Sequence, residues 1–196
     1  MKRIFTFMLL LVVWPVFAAM GPEQLIKQTS DKVLAEIKAN ADVYQSDPER
    51  IYQLVDDVVL PHFDFSAMTD LALGKYKDKV NGEQRPTIVN EFRSLLVRTY
   101  SSALLEYTDQ ELIYLPMEGV ESDGIVTVRT EIEQAGGFPI PINYTLRLGD
   151  EGWKVFDISV DDVSLVTNYR SSFARAIKKD GVDGLIKTLQ DRNQEQ

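Results

Sequence analysis

The spacing of hydrophobic residues changes twice along the chain. From Pro22 to Leu104, apolar residues recur every three or four positions, which is typical of amphipathic helices. From Leu112 to Val160, apolar and polar residues alternate, as they do in half-buried strands. Helical spacing returns after this stretch. We therefore predict helices first, then an antiparallel sheet, then closing helices.

The helices before the sheet are bounded by recognisable start and stop residues. The predicted starts are Pro22, Asp47-Pro48, Asp64 or Ser66, and about Glu83. The third of these helices is predicted to end at Gly74. The longest runs to about Thr108, and its apolar stripe makes it the expected cover for the apolar face of the sheet.

The alternating region is predicted to form a meander of about four strands. Gly136-Gly137 and the stretch 149–152 supply turns between the strands, and the predicted closing helices are 163–179 and 182–190, separated by Gly181. The fold class is therefore α+β, a curved antiparallel sheet wrapped by N-terminal and C-terminal helices. We expect residues 20–196 to form a single domain, since the chain shows no linker or internal repeat.

The first nineteen residues have the three-part pattern of a secretory signal peptide. Lys2 and Arg3 precede an apolar run, and cleavage is expected after Ala18 or Ala19. The alternative is an uncleaved membrane anchor, although the run is shorter than the roughly 20 residues that span a bilayer. The predicted location is therefore the periplasm.

Composition narrows the classes of partner. The formal net charge is -9, so phosphates would repel the chain and nucleic acid is not an expected partner. Cysteine is absent, so stability must come from packing rather than from disulfides.

The sequence contains few of the side chains and motifs that catalysis usually requires. His62 is the only histidine, too few for a usual metal site, and serine nucleophiles lack their commonest base. No glycine-rich loop has the context of a nucleotide-binding motif. We predict no catalytic residue, no metal site and no cofactor, and we expect that the chain is not an enzyme.

Paired carboxylates have structural interpretations. Asp56-Asp57 is expected on a solvated helix edge, because adjacent helical residues point in different directions. Asp161-Asp162 is expected to cap the helix that follows the sheet. Asp157 is expected to form a cross-strand ion pair with Arg147 or Lys154.

Several segments in order resemble a known family. They are 62–65 (HFDF) with 68–69 (MT), 71–74 (LALG), 91–93 (EFR) with 99–100 (TY), 152–157 (GWKVFD), 163–166 (VSLV) with 168–170 (NYR), and 181–185 (GVDGL). Together they are similar to the toluene-tolerance family, also called the MlaC family. The resemblance covers nearly the whole chain after the signal peptide.

The resemblance implies a fold, a function and a set of partners. The fold would be nuclear-transport-factor-like, and the protein would be a periplasmic phospholipid carrier that maintains lipid asymmetry. It would exchange lipid with an outer-membrane lipoprotein–porin complex and an inner-membrane ABC transporter, which meets it through a ring protein with a mammalian-cell-entry domain. A monomer is expected. The family places a valine beside the lipid tails, matched here by Val163, and Tyr100 matches a family tyrosine.

One departure from the family pattern lies next to Val163. Family members often have Glu-Gly before this valine, whereas this chain has Asp161-Asp162. Because this glycine is missing, the family's backbone conformation here, and its pocket mouth, are not carried over to this chain.

A lipid carrier needs a water-free apolar pocket rather than reactive groups. Such a pocket is expected between the apolar face of the sheet and the helices. The predicted lipid-binding residues are Tyr100, Leu104, Val126, Val128, Ile142, Tyr144, Leu146, Val155, Val163 and Leu165. The alternative is that these residues fill a closed core. The chain would then be an adaptor of an ABC transporter without its own ligand; an enzyme on the same fold is a further alternative.

Overall fold

The structure is a computed structural model that describes residues 20–105, 111–117, 124–134 and 136–195. The predicted signal peptide and the predicted helix end at Thr108 lie outside these residues. The α-helices of the described residues are α1 (Pro22–Ala39), α2 (Ala41–Ser46), α3 (Arg50–Leu54), α4 (Phe65–Leu73), α5 (Gln84–Tyr100) and α6 (Leu165–Glu195). The strands are β1 (Leu112–Tyr114), β2 (Ile125–Ile132), β3 (Ile140–Gly149), β4 (Gly152–Val160) and β5 (Val163–Ser164). The predicted α+β class is confirmed.

The helices between α2 and α5 are short and are separated by π-helical and 3-10 turns. A π-helical turn (Val55–Val59) continues α3, and Pro61 lies in the 3-10 turn (Leu60–His62) that follows it. The predicted start at Asp47-Pro48 lies a few residues too early, since α3 begins at Arg50. Helix α4 begins after Asp64 and ends before Gly74, as predicted, because the Asp64 carboxylate accepts a hydrogen bond from the Ala67 amide at 2.8 Å.

The strands form a five-stranded antiparallel meander in the order β1-β2-β3-β4-β5. The fifth strand is a two-residue addition to the predicted four. Val126 pairs with Leu146, and Leu146 pairs with Val155, so these side chains share one side of the sheet. We call this side the apolar face. A bulge between Thr145 and Leu146 shifts the β3–β4 register.

The apolar face is covered by α1. Leu25 and Ile26 of this helix form a buried cluster, the sheet cluster, with Val126, Val128, Leu146 and Val155. The second half of α1 packs elsewhere, in a cluster that contains Val33 and Ile37 together with α2, α3 and the π-helical turn.

Helix α5 does not provide the expected cover. Its buried residues, Phe92 among them, pack with α4 and α6 in a separate cluster, and the Phe92 and Phe173 rings lie 5.0 Å apart in an edge-to-face arrangement. Helical periodicity shows that a stripe of α5 is apolar, but not which element covers it.

Helix α6 contains a break near its middle. Asp180 and Gly181 have non-helical backbone angles, and Gly181 has a φ of 72°. This is the position at which the sequence predicts a boundary between two closing helices, because glycine adopts positive φ without steric cost.

The expectation that Asp161-Asp162 caps the last helix is wrong. Both residues have positive φ, 51° and 61°, and they form the two-residue turn between the paired residues Val160 and Val163. Positive φ at both central positions is the geometry of a type I′ hairpin turn. The cap of α6 is instead Ser164, whose hydroxyl accepts a hydrogen bond from the Thr167 amide at 3.0 Å.

This turn generates the first prediction. We expect Asp162→Gly to raise the free energy of unfolding by about 0.5 to 1 kcal/mol, because glycine relieves the strain of a left-handed backbone. Thermal denaturation of the two proteins measures the difference. The matched control is Asp150→Gly in the β3–β4 turn, where φ is not positive and glycine offers no such relief. Equal effects of the two substitutions would contradict the prediction.

Candidate functional site

Most of the predicted site residues lie on the apolar face. Val126 and Val128 of β2, Ile142, Tyr144 and Leu146 of β3, and Val155 of β4 are brought together by the strand register. Each sits opposite another apolar or hydroxyl side chain across the ladder. The alternation seen in the sequence therefore placed these six residues on one surface.

This surface is most deeply buried beneath α1 and is less buried on β3 and β4 towards the β2–β3 hairpin. Leu146 and Val155 are 0% exposed beneath α1, and Val126 and Val128 are nearly as buried. Along β3 towards the β2–β3 hairpin, Tyr144, Ile142 and Ile140 all retain partial exposure. On β4 the same trend leads from Val155 to Ile158 and Val160. On β3 and β4 the apolar face is thus less buried towards the β2–β3 hairpin, whereas Thr130 of β2 stays fully buried.

Two tyrosines stand on the apolar face. Burial raises the pKa of Tyr144 to about 12; the nearby Tyr114 adds to the rise, and a hydrogen bond with Thr130 opposes it. Burial also raises the pKa of Tyr114. The Tyr114 hydroxyl is shielded from solvent and no well-formed hydrogen bond reaches it, although Ser30 of α1 is near enough to lower its pKa slightly.

The only fully buried polar side chain on this face is satisfied locally, among the residues that the structure describes. Thr130 is 0% exposed, and its hydroxyl donates a hydrogen bond to the Ile142 carbonyl at 2.9 Å. Its polar atom is therefore turned into the sheet, and the surface offered by this position is largely its methyl group.

Tyr100 and Leu104 pack outside the sheet cluster. Tyr100, at the end of α5, lies against the cluster around Phe92, and burial and the neighbouring Tyr169 raise its pKa to about 12. Leu104 packs against the cluster of Val33 and Ile37. Their assignment to the lipid site stays a prediction.

Val163 and Leu165 lie at the accessible end of the sheet. Val163 is in β5 and is 55% exposed, while Leu165 is the first residue of α6 and is partly exposed. Both follow the Asp161-Asp162 turn, whose Asp161 amide donates a hydrogen bond to the Pro141 carbonyl at 3.0 Å. This contact ties the β5 end of the sheet to β3.

The sequence analysis missed several residues of the same face. Ile158 and Val160 pair with Tyr144 and Ile142, and Tyr114 pairs with Thr130, so all three share the apolar face. The bulge obscured this, because Val155 and Ile158 are three residues apart and break the period of two. Tyr114 could have been found by continuing the alternation into β1.

The expected ion pair of Asp157 is wrong. Its carboxylate accepts hydrogen bonds from the Ser164 hydroxyl at 2.7 Å and from the Ile158 amide at 2.9 Å, so it fixes the junction of β4, β5 and α6. Arg147 instead pairs with Asp64 at 3.4 Å, and Lys154 donates to the Pro61 carbonyl at 2.8 Å. The strand register alone could not show these long-range partners.

His62 is a partly buried residue of the 3-10 turn before α4. Burial lowers its pKa, and the positive charges of Lys154 and Lys32 lower it further. Within the described ranges, no cluster of three or more His, Cys, Asp or Glu side chains is arranged to hold a metal ion.

Comparison with known proteins identifies the family. A model of the MlaC protein family matches residues 27–191, most of the chain. The chain belongs to the MlaC family. The family resemblance stated from the sequence motifs is thereby confirmed.

Relatives of this MlaC-family chain match over most of its length. The intermembrane phospholipid transport system binding protein MlaC of Haemophilus influenzae is 28% identical over 192 residues, covering 95% of this chain and 90% of that protein. The toluene tolerance protein ttg2D of Pseudomonas putida is 28% identical over 186 residues, covering 93% and 85% respectively.

A solved structure confirms the fold of this MlaC-family chain. The phospholipid-binding protein of Ralstonia solanacearum, determined in complex with a phospholipid, has a TM-score of 0.81 and 34% sequence identity. The match covers 91% of this chain and 98% of that one. No helix within the described part of this MlaC-family chain is both long and apolar enough to cross a membrane.

Two tyrosines with raised pKa values, Tyr144 and Tyr100, generate the second prediction. We expect tyrosinate absorbance to show a late component near pH 12 that Tyr144→Phe and Tyr100→Phe each reduce. Because the folded pKa exceeds the ordinary value of 10.0, protonated tyrosine stabilises the fold, and this stabilisation is lost as pH rises from 10.0 through about 12. In urea-unfolded protein the late component should be absent. Its persistence in the double variant would contradict the assignment.

Proposed function

We propose that this MlaC-family protein is a periplasmic phospholipid carrier that holds acyl chains against the apolar face of the sheet. The accessible end of this face supports the proposal most directly. Its side chains are apolar and contiguous, and Tyr144, Ile142, Ile158 and Val160 there are only partly buried, whereas Leu146 and Val155 are fully buried. An apolar surface left partly uncovered next to a sealed core is suited to a ligand that is itself apolar.

Tyr144 lies on the partly buried stretch of this face. Burial raises its pKa to about 12. A poorly hydrated side chain at this position is compatible with an apolar ligand beside it. Hydrocarbon tails would replace water there at little polar cost.

The energetics of such a site require no specific polar contact. Each buried methylene group contributes about 0.8 kcal/mol, so two acyl chains give ample driving force. The head group can stay in water at the accessible end. The proposal therefore assigns no reaction to this chain and no residue a catalytic role.

The proposed partners and location follow from family membership. Lipid would pass between an outer-membrane lipoprotein–porin complex and an inner-membrane ABC transporter, through a ring protein with a mammalian-cell-entry domain, and so maintain lipid asymmetry. The apolar run at 4–16 supports export to the periplasm, with cleavage after Ala18 or Ala19. The Haemophilus relative is named for intermembrane phospholipid transport, which agrees with this role.

The first test is whether the purified protein carries lipid. We expect organic extraction of the mature chain followed by mass spectrometry to yield phospholipid in a fixed molar ratio to protein. Protein unfolded in guanidinium, washed and refolded without lipid is the control. Recovery of no phospholipid from the native protein would favour the adaptor alternative and contradict the carrier.

The second test places the site at the accessible end of the sheet. We expect Val163→Glu to reduce lipid retention at least tenfold, because a carboxylate at this position would have to lose its hydration beside acyl chains. Val163 is 55% exposed, so the fold should tolerate the change, and circular dichroism checks this.

Leu148→Glu is the matched control for Val163→Glu. Leu148 is a similarly exposed aliphatic residue at 50%, but it lies at the opposite end of the sheet, next to the β3–β4 turn. It should retain lipid like the wild type. Equal retention by both variants would exclude the proposed position of the site.

A further inference from the structure

The charges of this acidic chain are unevenly distributed. Of its 21 basic and 30 acidic residues, 7 basic and 1 acidic lie in the segments 74–79 and 170–179, which leaves 14 basic and 29 acidic residues for the rest of the chain. All seven basic side chains are exposed, and we call them the basic patch: Lys75, Lys77, Lys79, Arg170, Arg175, Lys178 and Lys179.

The fold brings the two segments of the basic patch together. The first is a 3-10 turn (Gly74–Lys79), and Arg170 of α6 extends over its start, where its Nε donates a hydrogen bond to the Leu71 carbonyl at 3.0 Å. Tyr76 of this turn is buried in the Phe92 cluster, which also contains residues of α6. Further along α6, one shallow groove is lined by Ser171, Ala174, Arg175, Lys178 and Lys179. The 3-10 turn and this part of α6 therefore lie side by side.

Most of these positive charges are not neutralised within the molecule. Within the described part of the chain, Lys179 is the only one of the seven with an ion-pair partner, Asp180 at 3.3 Å. Lys75 and Lys79 lie 5.6 and 5.3 Å from the centroid of the Tyr76 ring, a contact that leaves their charge in place. Like charges gathered on one side repel one another and forgo attraction to the many carboxylates of the chain. This arrangement favours a negatively charged partner outside the chain.

We propose that the basic patch adsorbs the protein weakly and reversibly onto the surface of an anionic phospholipid bilayer. Clusters of about four to eight lysine and arginine residues are typical of surfaces that bind anionic head groups. No large hydrophobic side chain of the two segments is exposed, so the patch lacks the apolar anchor on which tight protein–protein contacts depend. A bilayer surface, which offers charge without a pocket, therefore fits the patch better than a protein does.

The negative charge of the rest of the chain is compatible with this contact. At a salt concentration of ~0.15 M the Debye length is ~8 Å, so a bilayer interacts with the patch that touches it and much less with carboxylates on the far side. Arg175 and Lys178 lie ~15 and ~20 Å along α6 from Leu165, the residue of this helix that is assigned to the lipid site. Most of the patch is thus separate from that site, and the inference does not depend on the carrier function.

The test measures co-sedimentation of the mature chain, residues 20–196, with vesicles of phosphatidylcholine, alone or with one quarter phosphatidylglycerol. We expect phosphatidylglycerol to raise binding about tenfold at ~0.01 M salt, and the gain to shrink at ~0.15 M as the Debye length falls from ~30 to ~8 Å. The triple variant Lys77→Gln, Arg175→Gln and Lys178→Gln should lose most of this gain. Its three positions are exposed, so the fold should tolerate the change, and circular dichroism checks this.

The matched control removes the same number of positive charges elsewhere. Lys32→Gln, Lys38→Gln and Arg50→Gln change exposed residues of α1 and α3, outside the basic patch, and should keep the gain from phosphatidylglycerol. Equal losses in the two triple variants would attribute binding to overall charge and overturn the proposal. Equal binding of the wild type to both kinds of vesicle would also overturn it.

Two further measurements separate this inference from its alternatives. Retention of the wild type on immobilised polyglutamate, without any preference for phosphatidylglycerol vesicles, would assign the patch to an acidic polypeptide and overturn the proposal. Phospholipid extracted from the same proteins reports on the carrier function independently. The patch variant should carry as much lipid as the wild type, and patch-dependent vesicle binding by a chain that carries no lipid would still support the patch.

Discussion

The incomplete cover of the apolar face is the constraint on which the rest of the structure depends. A sheet with one apolar side must exclude water from that side, and here Leu25 and Ile26 of α1 do so around Val126, Val128, Leu146 and Val155. Beyond them α1 carries Thr29 and Ser30, and its next buried residue, Val33, belongs to a different cluster. The helix thus contributes to two cores and leaves part of the sheet between them less covered.

Separate hydrophobic clusters make such an opening compatible with stability. The helices α4, α5 and α6 enclose the well-packed Phe92 cluster, whose members include side chains at 0–1% exposure. A chain without cysteine must obtain its stability from packing of this kind. Because this cluster lies apart from the sheet cluster, exchange of the proposed ligand at the apolar face would leave the main helical core buried.

Polar contacts hold the accessible end in shape where apolar packing is weak. Asp157 binds Ser164 and the backbone of β4, and the Asp161 amide binds the Pro141 carbonyl. These bonds anchor the strained Asp161-Asp162 turn and the start of α6 to the sheet. Val163, between this turn and Ser164, is thereby held at a defined position although it is itself largely exposed.

The sequence by itself determined the order of elements and the inward residues of β2 and β3, because side chains alternate strictly along a strand. It also determined the family, through motifs that recur in order. Only the tertiary structure decided that α1 rather than α5 covers the sheet, that a bulge moves Ile158 onto the apolar face, and that Asp157 binds Ser164 rather than Arg147. Local periodicity reports which side of an element avoids water. Which element supplies the cover, and where the cover stops, depends on contacts between residues far apart in the chain.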